Sequence, residues 1–593
     1  MTEVLSRRDI DFLLYEWLDV ESLTTRGRFA EHSKETFDAV MDLCADIAHK
    51  HFEPHNRLAD ASEPRMRADG TVEMIDDVKA ALKVYAAAGL IAGQFDESIG
   101  GMQLPTTVAR AAMAWFQAAN ASTSSYPFLT MANANLIATY GTSDQIDQFV
   151  RPMLEGKYFG TMCLSEPQAG SSLADITTRA VKQDDGSYRI TGTKMWISAG
   201  DHELTDNIVH LVLAKAAGGG PGVKGISLFI VPKFLPDGTR NDVALVGLNH
   251  KMGNRGTTNT LLNFGDGTYS DTRGSGAIGY LVGEEHRGLS YMFHMMNEAR
   301  IGVGFLAISL GYVGYLKSLE YAKVRTQGRP LGAKDPSSPP VALIEHADIR
   351  RMLLAQKSYV EGALALGLYC SRLVDEQDTT EDEQTKAEST LLLDVLTPIA
   401  KSWPSQWCLE ANSLAIQIHG GYGYTRDYDV EQYYRDNRLN PIHEGTHGIQ
   451  GLDLLGRKVT MQGGAGLVSL GSRVAGTIER ARATSGATAE FAETLETHWN
   501  RAVSVTAVLW STGDPAVALA NSTVYLEALG HIVIAWMWLE QLIAVEGKTG
   551  DFYDGKRSAA RYFFLYELPK VDPQLDLLAS LDRTTLDVKP EWF

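Results

Sequence analysis

One carboxylate in the stretch Asn440 to Gln450, N-P-I-H-E-G-T-H-G-I-Q, is set apart by its surroundings. Pro441 pushes the residue before it out of the helical region, and Gly445 and Gly448 lower helix propensity around Glu444, so the acid is presented from a turn. Apolar Ile442 and Ile449 beside such a turn would strip water from the carboxylate, which raises its proton affinity and makes it a better base. The plainer alternative is a solvated loop glutamate, and a lone Glu-Gly pair does not exclude it. His443, Glu444 and His447 also spell H-E-x-x-H, the spacing by which two histidines one helical turn apart share a zinc ion. That chemistry needs an unbroken helix. A glycine inside the motif, another after it and a proline two residues before it oppose one, and no third ligand follows at a metzincin-like interval. No metal site is expected.

The chain that must position this acid has 593 residues, long for one core, so several domains are expected. Apolar residues make up 44% and charged residues 21%, the balance of a soluble globular protein. A net charge of −19 argues against a nucleic-acid or anionic-membrane surface. Cys44, Cys163, Cys370 and Cys408 lie far apart with no C-x-x-C pair, which suits a reducing cytoplasm better than a disulfide framework. The opening M-T-E-V-L-S-R-R-D-I-D-F-L-L lacks a secretory core, and the longest apolar run, His531 to Val545, reads as a buried helix because Glu540 and Gln541 interrupt it.

Residues 1–35 read as an amino-terminal arm with a short amphipathic helix, Arg8 to Leu18. Apolar residues at i, i+3 and i+4 predict helices over 36–157. Short β-rich runs separated by D-D-G, G-G-G-P-G and P-D-G turns then predict antiparallel strands over 158–285. Helical texture returns over 286–465, and a Gly-rich joint, Q-G-G-A-G-L, opens a further helical segment, 466–593. The chain is therefore mainly α with a central antiparallel β domain, not an alternating parallel fold. A G-x-G-x-x-G at Gly220, Gly222 and Gly225 precedes a strand and contains Pro221, so it reads as a hairpin loop and not as a dinucleotide fingerprint.

Six separated segments resemble, in the right order, blocks of the acyl-CoA dehydrogenase family. They are M-C-L-S-E-P-Q-A-G-S-S (162–172), K-M-W-I-S-A-G (194–200), N-E-A-R (297–300), Y-A-K-V-R-T-Q-G-R-P-L (321–331), Q-I-H-G-G-Y-G-Y (417–424) and Y-R-D-N-R-L-N-P-I-H-E-G-T (434–446). Residues beyond about 465 resemble the extra helical domain of the family's larger, roughly 600-residue members, among them 3-methylmercaptopropionyl-CoA dehydrogenase-like proteins. The resemblance implies an α-β-α architecture with an added carboxy-terminal helical domain, FAD as cofactor and an acyl-CoA as substrate. Met162, Leu164 and Ser165, alternating along a strand, are implied at the flavin edge, with Trp196 beside the ring and Ser198 bonding it. Arg325 is implied on the FAD pyrophosphate of a neighbouring subunit, where its rigid fork of donors suits phosphate. Gln417 and Gly421 are implied around the adenosine half, and Thr446 at the diphosphate or ribityl chain. If these hold, the site is completed only in a homodimer. Ser171, Asn297, Arg300 (at the start of a helix) and Gly445 are implied on the CoA thioester, and an electron-transferring flavoprotein is the implied acceptor.

The reaction implied is α,β-dehydrogenation of an acyl-CoA, with Glu444 removing the α-proton while a hydride leaves the β-carbon for the flavin. A medium- or long-chain fatty acyl thioester, as in β-oxidation, is the first choice. The 3-(methylthio)propanoyl thioester and an oxygen-using acyl-CoA oxidase are the alternatives within the family, and outside it stand a zinc hydrolase and a non-catalytic scaffold. The chain departs from the family pattern at several positions. His443 stands where tyrosine or phenylalanine usually precedes the acid, and if protonated it would weaken the base. Gly448 replaces a frequent glutamine, Asn297 a frequent aspartate, and T-Q-G-R after Arg325 lacks a common phenylalanine. Met292, Phe293, Met295 and Met296 could line an adaptable acyl tunnel or simply form core.

Overall fold

The computed structural model describes residues 3–269, 274–332, 335 and 337–593, and the backbone but not the side chains of 294–297. Helices run to Leu154, strands occupy 158–281, and helices return from Gly288 onward. That is the expected order of helical, β and helical segments, extended by further carboxy-terminal helices. The chain forms two compact units. One gathers Met1–Phe37, Thr106–Ala114 and Arg300–Phe593, and the other Asp38–Pro105 and Trp115–Ala299.

The second unit carries all the strands. Strands β1 (Arg65–Met66) and β2 (Val72–Glu73) make a small ribbon. The main sheet uses β3 (Tyr158–Cys163), β4 (Arg179–Lys182), β5 (Tyr188–Ser198), β6 (Asn207–Ala216), β7 (Ile226–Pro232), β8 (Val243–Leu248), β9 (Asn259–Phe264) and β10 (Ala277–Leu281). Its order is β10-β7-β6-β4-β5-β9-β8, with β3 on β6 and β10 also closing onto β5. Strand β7, I-S-L-F-I-V-P, is buried along its whole length, as expected of an apolar run covered on both faces. Tyr188, Ile190, Val212, Phe229, Val231 and Phe264 form the core beneath. The G-x-G-x-x-G is the loop of the β6–β7 hairpin, where Lys215 pairs with Ile226.

Two pairings depart from the antiparallel expectation: β3–β6 and β4–β6 run parallel. A short turn forces opposite directions only on the strands it joins, and neither pair is consecutive in the chain. The four-residue β4 carries too few apolar residues to announce itself. In R-A-V-K only Ala180 is buried.

In the first unit, the helices Ala347–Thr379 and Glu383–His419 are followed by the shorter carboxy-terminal helices Ala465–Arg482, Ala487–Ser511, Ser522–Ala544 and Asp551–Tyr562. Among the described residues two helices, Gly288–Val324 and Ser522–Ala544, are long and apolar enough to cross a membrane. The apolar window of Ser522–Ala544 is 83% buried within the protein and holds Trp536 and Trp538 in the core. The arm is docked by charge as well as by Phe12 and Leu13. Asp9, on the short helix Arg7–Asp11, pairs with buried Lys556, which also meets Glu361 at 2.9 Å, while Tyr312 donates to Asp9 at 2.9 Å. Buried charges persist only when paired in this way. All four cysteines are buried and free.

Candidate functional site

Glu444 lies, half-buried, in the turn between the helices Val430–Asn437 and His447–Asp453, both in the first unit. Its φ is +52°, a left-handed conformation that costs a non-glycine residue on the order of 1–2 kcal/mol. Gly445 follows at φ +90°, where a Cβ would also lie 2.5 Å from Gln450 Nε2. The turn therefore reverses the chain in two consecutive left-handed residues, and other contacts must hold it there.

Those contacts are polar and buried. Gln450 Nε2 donates to the Glu444 carbonyl at 2.9 Å. The Lys401 ammonium, from the interior of helix Glu383–His419, donates to the carbonyls of Asn440 at 2.8 Å and Gly445 at 2.6 Å, bracketing the acid. A chain of amides fixes the entry to the turn. Asn412 Nδ2 donates to Leu310 O, Asn437 Nδ2 to Asn412 Oδ1, and Asn440 Nδ2 to Asn437 Oδ1. The Asn440 Oδ1 remaining then accepts from His443 Nε2 at 3.0 Å, which places the ring proton on Nε2.

The electrostatics follow from burial. Desolvation raises the Glu444 carboxyl above the ordinary carboxylate range, with Lys401 and then Arg300 pulling the other way. No hydrogen bond to its carboxylate oxygens forms among the described residues, so the group stands ready to take a proton. Lys401 is pushed down to about 7 by burial, partly offset by Glu444. His443 is pushed down to about 3 by burial and by Lys401, so it is neutral near pH 7 and does not weaken the acid beside it.

Arg300 differs from the sequence expectation. It lies inside helix Gly288–Val324, not at its start, and is buried in an ion pair with Asp453 at 2.8 Å. An interior helical position was hidden because Asn297 and Glu298 resemble the polar residues that open helices. The H-E-x-x-H residues do not share a helix, since His443 and Glu444 precede the cap of His447–Asp453, whose first turn is held by Thr446 Oγ1 accepting from Ile449 N. Gly448 leaves room beside Thr446, as a Cβ there would touch only its Oγ1, at 3.8 Å. Four buried polar atoms around the turn, Arg300 Nε, Arg438 Nη1, His447 Nε2 and Gln450 Oε1, have no partner among the described residues. Buried polar atoms are normally satisfied, so this surrounding suits a polar ligand.

The second unit holds the other group of candidate residues. Met162 is on β3, but the strand ends at Cys163, so Leu164 and Ser165 do not alternate along it as expected. The chain is diverted there into the Glu166–Ala169 turn, because Glu166 is taken up by donors elsewhere. Its carboxylate accepts from Lys194 Nζ, from the backbone and hydroxyl of Thr177 and of Thr178, and from Gln168. Lys194, wholly buried, also donates to Leu164 O, and Met195 N donates to Ser165 O. The 164–166 bend is thus tied to β5, which bulges between Lys194 and Ile197.

On that bulge Trp196 has φ +65° and is 60% exposed, a strained aromatic left bare beside a buried ion pair. Ser198 Oγ accepts from Asn259 Nδ2 at 3.2 Å and keeps its own proton to donate. An exposed indole, a free hydroxyl donor and a fixed bend of backbone fit the planar ring and polar edge of a flavin. Ser171 is exposed beyond the turn. The side chains of Asn297, Met295 and Met296 lie outside the described residues. Met292 is fully buried and belongs to the core, while Phe293 is partly exposed.

Arg325, Gln417 and Gly421 are exposed in the first unit, and the Arg325 guanidinium lies 6.0 Å from the Tyr422 ring centroid. Sequence reasoning missed Lys401, Gln450, the asparagine chain and the Glu166–Lys194 pair. The one available signal was a lysine on the apolar face of T-P-I-A-K-S-W, a place lysine takes only when its charge is held.

Comparison with known proteins agrees with this geometry. Models of the acyl-CoA dehydrogenase N-terminal, middle and C-terminal domains match residues 34–157, 161–266 and 286–460, and one described as acetyl-CoA dehydrogenase C-terminal like matches 470–589. A 3-methylmercaptopropionyl-CoA dehydrogenase of Ruegeria pomeroyi is 33% identical, with 95% of each chain covered. The broad-specificity linear acyl-CoA dehydrogenase FadE5 of Mycobacterium tuberculosis is 31% identical, with 98% of each covered. In fold, the chain is similar to an acyl-CoA dehydrogenase of Bacillus anthracis complexed with FAD, with a TM-score of 0.75 at 18% identity over 98% of this chain and 95% of that one.

Proposed function

This chain belongs to the acyl-CoA dehydrogenase family of flavin-dependent oxidoreductases, and from that premise we propose that it desaturates a linear acyl-CoA thioester between its α- and β-carbons, with Glu444 as the catalytic base. The observation that carries this reading is a half-buried carboxylate on a left-handed turn, free of hydrogen-bond donors among the described residues and raised in proton affinity by burial. The α-C–H bond breaks with its proton going to Glu444, and the electron pair left behind forms the new double bond as the β-hydrogen departs with its own pair. FAD, when bound, accepts that hydride. An α-proton is too weakly acidic for a carboxylate unless the thioester oxygen is stabilised, and we assign the Glu444 backbone N–H to donate to it. Trp196 and Ser198 would hold the ring, Met162, Leu164 and Ser165 its edge, and Thr446 its ribityl or diphosphate region. Ser171, Asn297 and Gly445 are assigned to the CoA side. Arg300, buried against Asp453, acts on Glu444 through its charge.

Glu444→Gln tests the assignment: bound FAD is retained, and anaerobic bleaching of it by acyl-CoA is lost. Substantial residual bleaching refutes the role. For the substrate we put medium- or long-chain linear acyl-CoA first, in line with the broad linear specificity named for the M. tuberculosis relative. A second reading, 3-(methylthio)propanoyl-CoA, is favoured by the R. pomeroyi relative at 33% identity. Steady-state kcat/KM across saturated acyl-CoAs and that thioether decides between them. We further propose an electron-transferring flavoprotein as acceptor, a cytoplasmic setting, and a homodimer in which exposed Arg325, Gln417 and Gly421 complete the partner's FAD site. Arg325→Ala should then release FAD without changing the oligomeric state.

A further inference from the structure

We propose that Lys401 is a positioning residue of the reaction: its ammonium ties the two carbonyls that bracket the catalytic turn, and its charge, when protonated, acts on the Glu444 carboxylate. This rests on Glu444 being the base. The geometry is specific. Lys401 is wholly buried, yet neither of its hydrogen-bond acceptors is a carboxylate; both are backbone oxygens, of Asn440 and Gly445, on either side of the acid. A lysine that served only to neutralise a buried charge would meet that charge directly, as Lys194 meets Glu166 at 3.0 Å.

The root of the side chain is as constrained as its tip. Lys401 leaves its helix between Pro398 and Pro404, and Pro404, with no N–H, leaves the Ala400 carbonyl without its usual partner four residues on. Gly304 of the neighbouring helix packs against that carbonyl so closely that a Cβ would come within 2.1 Å of it. Helix, lysine and turn therefore hold one arrangement. The turn contains two consecutive left-handed residues whose local strain a two-point tether offsets. Charged and titratable groups acting on this place are Glu444, Arg300 (paired with Asp453), His443 and His447; the two histidines are held neutral by burial, so Arg300 and, on the acid side of neutrality where it is protonated, Lys401 are the cations that act on the acid.

When Glu444 takes the substrate proton it becomes neutral and the attraction to Lys401 disappears, while the two carbonyl bonds remain. Position and charge can therefore be separated by substitution. Lys401→Gln keeps an N–H donor and removes the charge; Lys401→Arg keeps the charge and alters the reach. In the flavin-loaded enzyme, Lys401→Gln should move the acid limb of the kcat/KM–pH profile upward by about one unit, the low end of what a neighbouring charge does, and lower kcat at least tenfold. Lys401→Arg should leave that limb in place while lowering kcat with little change in KM. An unmoved limb and near-normal kcat in both variants would overturn the proposal. So would complete loss of flavin from both, since of the residues assigned to flavin only Thr446 lies beside the tethered turn. If Glu444→Gln remains active, the underlying reading fails instead, and the two failures are thereby distinguished.

Discussion

Glu166 and Glu444 are two glutamates, each with a buried lysine acting on it, and they are held in opposite electrostatic states. Glu166 receives six donors, and with Lys194 and the two threonines around it the carboxyl is pulled down to about 2 against the cost of burial. It is locked as an anion and useless as a base. Glu444 has its backbone tied by Gln450 while its carboxylate is left without donors, so burial wins and the group sits above the ordinary range. What separates a strut from a base is where the hydrogen bonds go, to the carboxylate in one case and to the main chain around it in the other.

The sharpest way to break the contrast is to neutralise each acid in turn. Glu444→Gln should cost a factor of about 10³ in kcat, within the usual range for removing a general base, with no fall in melting temperature because burying this carboxylate is unfavourable. Glu166→Gln should do the reverse. It leaves Lys194 buried and unpaired and should destabilise by about 3 kcal/mol, read as a lower denaturation midpoint and a weakened hold on flavin. The pH dependence has a sign. The Glu166 carboxyl lies below its unfolded value, so its stabilisation is full above about pH 4.5 and is lost as pH falls toward 2, visible in acid denaturation of wild type and absent in the Gln variant.

Gly445→Ala should come next, at about 1–3 kcal/mol for a side chain forced to a positive φ against Gln450. Turnover should suffer more than stability because the strained residue adjoins the base. The mildest change is His443→Phe, which restores the residue type usual in the family. It leaves Asn440 Oδ1 without its donor at a cost of about 1 kcal/mol and should not move the acid limb, since His443 is neutral there. A shifted limb would mean that the ring carries charge in the enzyme.

The order of the segments, the turn around Glu444 and the apolar strands β5, β6, β7 and β9 were legible in the sequence because each is written locally, in periodicity or in proline and glycine spacing. The parallel pairing of β3 with β6 was not, because direction between non-consecutive strands is settled by the whole sheet. The end of β3 at Cys163 was hidden for a related reason. Leu164 and Ser165 read as strand, and only a lysine thirty residues on, Lys194, shows what bends them away. Lys401 stands 43 positions before Glu444 and Arg300 lies farther still; their charge acts on the acid only once helices cross.

The role of Glu444 is tested most directly by rapid anaerobic reduction of bound FAD by a saturated acyl-CoA, measured from pH 5 to 9 in wild type and in Glu444→Gln. In wild type the rate should fall as acid is added, through a protonation lying above the ordinary carboxylate range, and in the variant the rate should be about 10³-fold lower and show no such fall. Reduction in the variant with the wild-type pH profile would contradict it.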